Sequence, residues 1–282
     1  MRELNFDGKK PVLYIVATPI GNLSEMTPRA IAIIQGVDYV ACEDTRVSGK
    51  LLAHFEIHKP LVSCREHNEI TGASRIISDL KSGLKVAYLS DAGYPSISDP
   101  GQKLIQEALA NDIKVSVISG ANAMLNALVG SGLDSAHFYF HGFLSPKEKA
   151  RLEELRNLAK RKETLIFYEA PHRIVKTLGD MLKIFGSRRA CLARELTKKH
   201  EEFIRMNLSD LALLGEETIK GEMVIVVEGN NEEDAPNVND DEVRKMISNL
   251  VDVGVSTKDA IKRVSDMLKI GKNYVYKIYH RN

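Results

Sequence analysis

Residues 12–17 (VLYIVA) form an unbroken aliphatic run that stops at Pro19 and Gly21, the pattern of a strand buried on both faces. Thr27-Pro28 then reads as an N-cap followed by an N1 proline, which predicts a helix to about residue 35. Further apolar runs at 39–42, 60–63, 86–90 and 115–119 predict four more strands. Helical patterns at 47–55, 70–80, 102–110 and 124–129 lie between or after them. This β-then-α alternation predicts a mostly parallel sheet covered by helices on both faces. A second series starts near residue 138, with strands expected at 138–141, 165–168, 190–193 and 223–227 and helices at 146–160 and 171–185. It reads as a smaller, mixed α/β unit.

The composition shifts after residue 229. Residues 230–242 hold six acidic and no basic side chains, a solvated linker or a helix lead-in. Beyond it, Val243, Met246, Ile247 and Leu250 repeat at helical spacing, as do Ile261, Val264 and Leu268. Residues 256–282 carry seven Lys/Arg against two Asp, which suits a small helix-turn-helix-like appendage or a solvated helical cap. The expected domains are 1–135, 136–230 and 231–282.

Composition narrows the function class. At 282 residues, 44% hydrophobic and 27% charged, the chain is of ordinary globular type. Its net charge of +1 gives no global sign of a polyanionic partner, so any nucleic-acid surface must be local. Cys42, Cys64 and Cys191 are odd in number and widely spaced, which suits reduced thiols in a cytoplasm. The N-terminal decapeptide is charged and polar, and no run reaches the roughly 18 apolar residues of a membrane span. The sequence lacks a G-x-G-x-x-G fingerprint, a P-loop, CxxC, HExxH and G-x-S-x-G. NAD-linked, NTP-driven, zinc-dependent and serine-hydrolase chemistry are therefore disfavoured, and no metal site is expected.

The chemistry-bearing residues fall in loops at the ends of predicted strands, where open α/β sheets bind ligands. They are Thr18–Leu23, the charged turn Glu43–Arg46, and the eleven-residue loop Asp91–Gly101 with its two glycines, two prolines and two aspartates. Ser119–Ala123, Phe167–Arg173 and Arg194–Glu201 complete the set.

Seven segments stand in order: VATPIGNL, EDTR, LSDAGYPSISDPG, HGFLSPK, FYEAPHR, RELTKKHEE and KGEMVIVVEG. Together they resemble the tetrapyrrole methylase superfamily, in its branch of bacterial small-subunit ribosomal RNA (cytidine 2′-O) methyltransferases. The likeness covers about residues 11–229, and 240–282 looks like that branch's C-terminal helix-turn-helix extension. It implies a class III S-adenosylmethionine methyltransferase: two α/β domains closing on the cofactor, a small helical domain, and a cytoplasmic homodimer. The implied substrate is a decoding-centre cytidine (cytidine-1402) of 16S rRNA in the small ribosomal subunit.

Carried over motif by motif, the cofactor positions are Pro19, Asp91, Ala92, Gly93, Ile97, Asn122, Ala123, Tyr168 and Leu196. Chemistry at a ribose hydroxyl needs a base and a nearby cation. Glu43, Asp99 and Glu195 are candidate bases, with Asp99 or Glu195 acting beside Lys198 the favoured arrangement. Arg46, Lys147, Arg151, Arg173 and Arg194 are expected to meet RNA. The chain departs from the family pattern at Ser145, an extra residue before Pro146, and at Tyr94, where threonine is usual. Two rival readings are a small-molecule methylase of the same superfamily and a catalytically inactive RNA-binding assembly factor.

Overall fold

The computed structural model describes residues 11–64, 69–215, 221–231, 239–268 and 270–280. The polar N-terminal decapeptide and positions 232–238 of the acidic stretch lie outside the described residues. The chain divides into two compact units, Met1–Gly229 and Asn230–Asn282.

Among the described residues, the first unit contains two five-stranded sheets. In the first sheet, β1 (Val12–Val16), β2 (Tyr39–Cys42), β3 (Leu61–Ser63), β4 (Val86–Leu89) and β5 (Lys114–Ile118) pair in the order β3-β2-β4-β1-β5, all parallel. The intervening helices are α1 (Pro28–Gly36), α2 (Thr45–His54), α3 (Glu69–Lys81) and α4 (Gln102–Ala110). Alternation along β2 shows how both faces are used. Tyr39 and Ala41 join the core formed with α3 and α4 residues, whereas Val40 and Cys42 join the core formed with α1 and α2. A strand buried on both sides explains the continuous apolar runs.

Next come α5 (Ala123–Ser131), β6 (Phe138–Phe143), α6 (Glu148–Leu158), β7 (Thr164–Glu169) and α7 (Ile174–Phe185). After them stand β8 (Arg189–Arg194), β9 (Glu202–Asn207), α8 (Leu208–Leu211) and β10 (Met223–Val227). The second sheet has the order β6-β7-β10-β8-β9, parallel at β6–β7 and antiparallel elsewhere. It is mixed as expected, but it equals the first sheet in strand number. The unexpected strand is β9, an edge strand of sequence EFIRMN flanked by charges. An edge strand buries little, so its sequence carries little alternation.

One face of this sheet packs against α6, α7 and α8. The other receives α5, whose Ala127 and Leu128 contact a core with Ile166, Cys191, Ala193 and Val224. By sequence α5 belongs to the 1–135 segment, yet its packing partner is the second sheet. That helix ties the two halves together. Cys42, Cys64 and Cys191 are buried free thiols. Among the described residues no helix is long and apolar enough to cross a membrane.

The second unit consists of α9 (Asp240–Asp252), α10 (Thr257–Leu268) and α11 (Lys272–His280) around Val243, Ile247, Ile261, Val264, Val275 and Ile278. The end of the acidic stretch is a helix start. Asn239 accepts from Asp241 N–H, and Asp240, Asp241 and Glu242 occupy the first turn, where negative charge complements the helix dipole. Arg244 Nε donates to the Ile278 carbonyl at 3.0 Å, joining α9 to α11.

Candidate functional site

The loops after β1, β4 and β5 converge where the second sheet presents the end of β7, the turn after β8 and the start of β10. The loop after β4 is pinned to the loop after β1. Thr18 N–H donates to Gly93 O at 2.9 Å and Gly93 N–H returns to Thr18 O at 3.1 Å. The Thr18 hydroxyl donates to Ser90 O, and the Ser90 hydroxyl donates to Gly93 O. Beyond this clamp, Ser96 and Ser98 hold left-handed backbone at φ +66° and +63° without being glycine. Such geometry costs on the order of 1 kcal/mol each and persists where the surroundings enforce it. The loop after β8 does the same at Glu195 and Thr197, with φ +49° and +67°.

A cavity of about 280 Å³ lies between these loops. Apolar side chains of Ile20, Ile97, Phe143, Leu196, Met223 and Val224 line it, together with the small Ala92, Gly93, Ala123 and Ala170. Its polar groups include Asp99, Asn122, Tyr168, Glu169, Lys198 and Glu222. An apolar pocket with a few convergent polar groups is the usual form of a small-ligand site.

Burial raises the Asp99 carboxyl, and the neighbouring Glu43 and Asp91 charges raise it further, to about 6. The Glu43 and Asp91 carboxyls therefore act electrostatically on Asp99. Tyr168 is also raised, by burial above all; the Asp99 charge adds to this, while a Met124 backbone hydrogen bond opposes it. On the opposite wall, Lys198 Nζ donates to Glu195 Oε1 at 3.1 Å and stands 3.8 Å from Glu222 Oε2. Glu195 thus faces Lys198 and holds it in place without lining the cavity itself.

Of the nine cofactor positions expected from the motifs, Ala92, Gly93, Ile97, Asn122, Ala123, Tyr168 and Leu196 line this cavity. Pro19 is buried one residue before the lining Ile20. Asp91 turns away, its Oδ1 accepting from Asp44 N–H at 3.2 Å. Asn122 also caps α5, its side chain accepting from Leu125 N–H at 3.0 Å.

The basic residues separate into two groups. Arg46 is 80% exposed, paired with Asp44 at 2.6 Å, and Lys147 is exposed at the start of α6. Arg151, expected to meet RNA, is instead buried. Its side chain is only 6% exposed and meets Asp180 at 2.7 Å. It also donates to the Ser145 and Pro146 carbonyls, so the guanidinium holds the start of α6 and has no face left for RNA. Arg173 is similarly engaged, 3.2 Å from Glu169 Oε1 and donating to Leu144 O at 2.7 Å. Arg194 is held by Glu202 at 2.5 Å.

The extra serine is accommodated locally. Ser145 N–H donates to Glu154 Oε2, and its hydroxyl accepts from Lys147 N–H ahead of α6.

Sequence reasoning did not single out Phe143, Glu169, Glu222, Met223 or Val224 as lining residues. Glu169 stood inside a quoted motif, but its role is visible only in three dimensions. It accepts from Thr177 Oγ1 at 2.5 Å while pairing with Arg173. Met223 and Val224 read as strand core, and no sequence pattern distinguishes a core strand residue from a cavity wall. Tyr94 lines the cavity too, and its hydroxyl accepts from Gly120 N–H at 3.2 Å, joining the loops after β4 and β5.

The family profile of Tetrapyrrole (Corrin/Porphyrin) Methylases matches residues 12–212. The chain belongs to the tetrapyrrole methylase family. Within it, a protein of Bacillus subtilis (strain 168) named ribosomal RNA small subunit methyltransferase I is 43% identical over 289 residues, covering 99% of this chain and 98% of that one. A protein of the same name from Halalkalibacterium halodurans is 45% identical over 96% of each chain. A third, from Xylella fastidiosa, is 48% identical over 80% of this chain and 84% of its own. Solved tetrapyrrole-methylase-like structures share the fold at low identity. A diphthine synthase matches with a TM-score of 0.60 at 15% identity, covering 79% of this chain and 91% of its own. Uroporphyrin-III-C-methyltransferase from Thermus thermophilus matches at 0.55 and 18%, covering 77% and 94%. These two likenesses concern the class III methylase fold alone.

Proposed function

We propose that this protein is an S-adenosylmethionine-dependent methyltransferase of small-subunit ribosomal RNA, acting on a cytidine 2′-hydroxyl of the decoding centre. The observation that carries the reading is the near-complete coverage of this chain by relatives named for that RNA. The match to the Bacillus subtilis protein extends through 99% of the chain, including the 230–282 unit. A small-molecule tetrapyrrole methylase is the second reading; uroporphyrin-III-C-methyltransferase and a cobalt precorrin-4 methyltransferase each cover 77% of the chain, at 18% and 16% identity.

The cavity suits the cofactor chemically. Its small residues Ala92, Gly93, Ala123 and Ala170 leave room, Ile97, Leu196 and Met223 offer apolar surface to an adenine ring, and the Asp99 carboxylate suits a cation. When bound, S-adenosylmethionine supplies an electrophilic methyl on a sulfonium. The chain's own task is to position a ribose hydroxyl and remove its proton. Asp99, raised to about 6, is ionised at neutral pH yet basic enough to accept that proton on a carboxylate oxygen. Lys198, held by Glu195, stabilises the developing oxyanion. Arg46 and Lys147 supply exposed positive charge for the RNA backbone. The reading also includes a cytoplasmic homodimer.

The test is methyl transfer from isotopically labelled S-adenosylmethionine to small-subunit RNA or particles purified from cells lacking the protein, followed by mass spectrometry of nuclease fragments. One new ribose methyl on a decoding-centre cytidine is expected. Transfer to a base, to another nucleotide, or only to a tetrapyrrole precursor refutes the assignment.

A further inference from the structure

The second unit carries a surface that its own folding does not require. The inward side of α11 is satisfied by Val275 and Ile278, both buried, with Tyr274 and Tyr279 packed beside them. Tyr276 points away from that core and is 55% exposed. Four residues on, His280 is also exposed, with its ring centroid 4.3 Å from that of Tyr276. A spacing of four residues places both rings on one face of the helix, and Lys272, four residues earlier, continues the same row. Lys277 is exposed next to Tyr276. Residues 268–282 contain four Lys/Arg and no acidic residue, so no side chain of α11 neutralises this row internally. On α10, Lys258, Lys262 and Arg263 are exposed as well.

We propose that the Lys272–Tyr276–His280 row of α11 is a stacking platform for an unpaired base of RNA, with Lys272 and Lys277 on the flanking phosphates. The inference rests on the ribosomal RNA reading above and adds to it a mode of contact and the residues that make it. Charge complementarity selects the occupant. A purely apolar partner would leave the lysines unpaired, and an acidic peptide would have no use for two exposed rings side by side. A single-stranded nucleic acid uses both, because every base offers a flat face and every linkage a negative charge. Stacking of a base on an aromatic side chain is worth about 1–3 kcal/mol, from about fivefold to more than a hundredfold in affinity.

The experiment uses the full chain and a fluorescently labelled single-stranded RNA of about a dozen nucleotides, titrated by anisotropy at several salt concentrations. Its companions are the same strand with abasic positions and a fully paired duplex. Tyr276→Ala is expected to weaken binding of the intact strand about tenfold, with the salt slope unchanged. Tyr276→Phe should bind like the parent, and a Lys272→Gln/Lys277→Gln pair should reduce the salt slope. Tyr276→Ala and the parent should bind the abasic strand alike. An unchanged affinity in Tyr276→Ala, or an equal loss on intact strand, abasic strand and duplex, overturns the platform. If the parent methylates small-subunit RNA while its binding ignores Tyr276, the platform alone falls. A parent that neither binds nor methylates RNA overturns the ribosomal reading and the platform with it. Because Tyr276 is exposed, circular dichroism of the variants should match the parent.

Discussion

Lys198 lies across Gly21, so close that a Cβ at Gly21 would stand 2.6 Å from Lys198 Cγ and 2.7 Å from its Cε. The two residues belong to different halves of the fold, one in the loop after β1 and the other after β8. Gly21 also sits at φ +145°, a conformation that side chains disfavour. The missing side chain at Gly21 is what lets the ammonium run flat along the first domain to meet Glu195. A parallel contact holds the other partner: a Cβ at Gly221, at φ +88°, would fall 2.0 Å from Glu195 Oε1.

Gly21→Ala should therefore destabilise the protein by about 2 kcal/mol, combining overpacking with backbone strain. Methyl transfer should fall at least tenfold as Lys198 is displaced. In a Lys198→Ala background the same change should cost only the backbone part, about 1 kcal/mol. Urea unfolding of the four proteins of this cycle measures the difference, and strictly additive losses would falsify the contact.

Asp99 sets a pH dependence. Its folded value of about 6 lies above its ordinary 3.8, so between those values the folded state holds a proton that the unfolded chain has lost. Stability consequently falls as pH rises from about 4 to about 6, and the full cost of the buried charge is present above that window. Because the site is partly open to solvent, Asp99→Asn should recover only about 1 kcal/mol at pH 8, and nothing below pH 4. Transfer by the parent should rise through about pH 6, and Asp99→Asn should be slow with that rise removed. Rate and denaturation profiles over pH 4–9 check both; a parent profile flat across pH 6 excludes Asp99 as the proton acceptor.

Tyr94→Phe removes the acceptor for Gly120 N–H while keeping the ring in the cavity wall. A lost hydrogen bond of this kind costs about 1 kcal/mol. The expected readout is a lowered Tm together with weakened binding of S-adenosylhomocysteine, measured by calorimetry. Unaltered values for both would mean that the hydroxyl does not brace the two loops.

Arg151→Met breaks the pair with Asp180 and leaves a nearly buried carboxylate without its partner. The expected destabilisation is about 3 kcal/mol. RNA affinity at a temperature where the variant is folded should match the parent. Lys147→Ala should behave in the opposite way, keeping stability and weakening RNA binding a few-fold. An Arg151→Met protein of parental stability but reduced RNA affinity would restore Arg151 to the RNA surface.

Most strands and helices of the first domain were legible because a parallel sheet buried on both faces demands continuous apolar runs, and because caps such as Thr27-Pro28 mark helix starts by local chemistry. The motif loops were equally visible, since Asp91–Gly101 is too rich in turn residues to be a plain connection. β9 was not, because an edge strand with one partner needs no strict alternation.

At the site the division is similar. Sequence by itself marked the loops that line the cavity, Asp99 and Lys198 in its wall, and the basic composition of the terminal unit. Tertiary structure alone decided which of them meet. It sent Arg151 into a buried pair and Asp91 toward Asp44, and gave α5 to the second sheet. It also laid Lys198 over Gly21 and made Met223 a cavity wall. The physical reason is range. Strand runs, caps and turns are set by neighbours a few positions away, whereas Arg151 and Asp91 meet partners 29 and 47 residues away, and Lys198 meets Gly21 across more than 100 residues of chain.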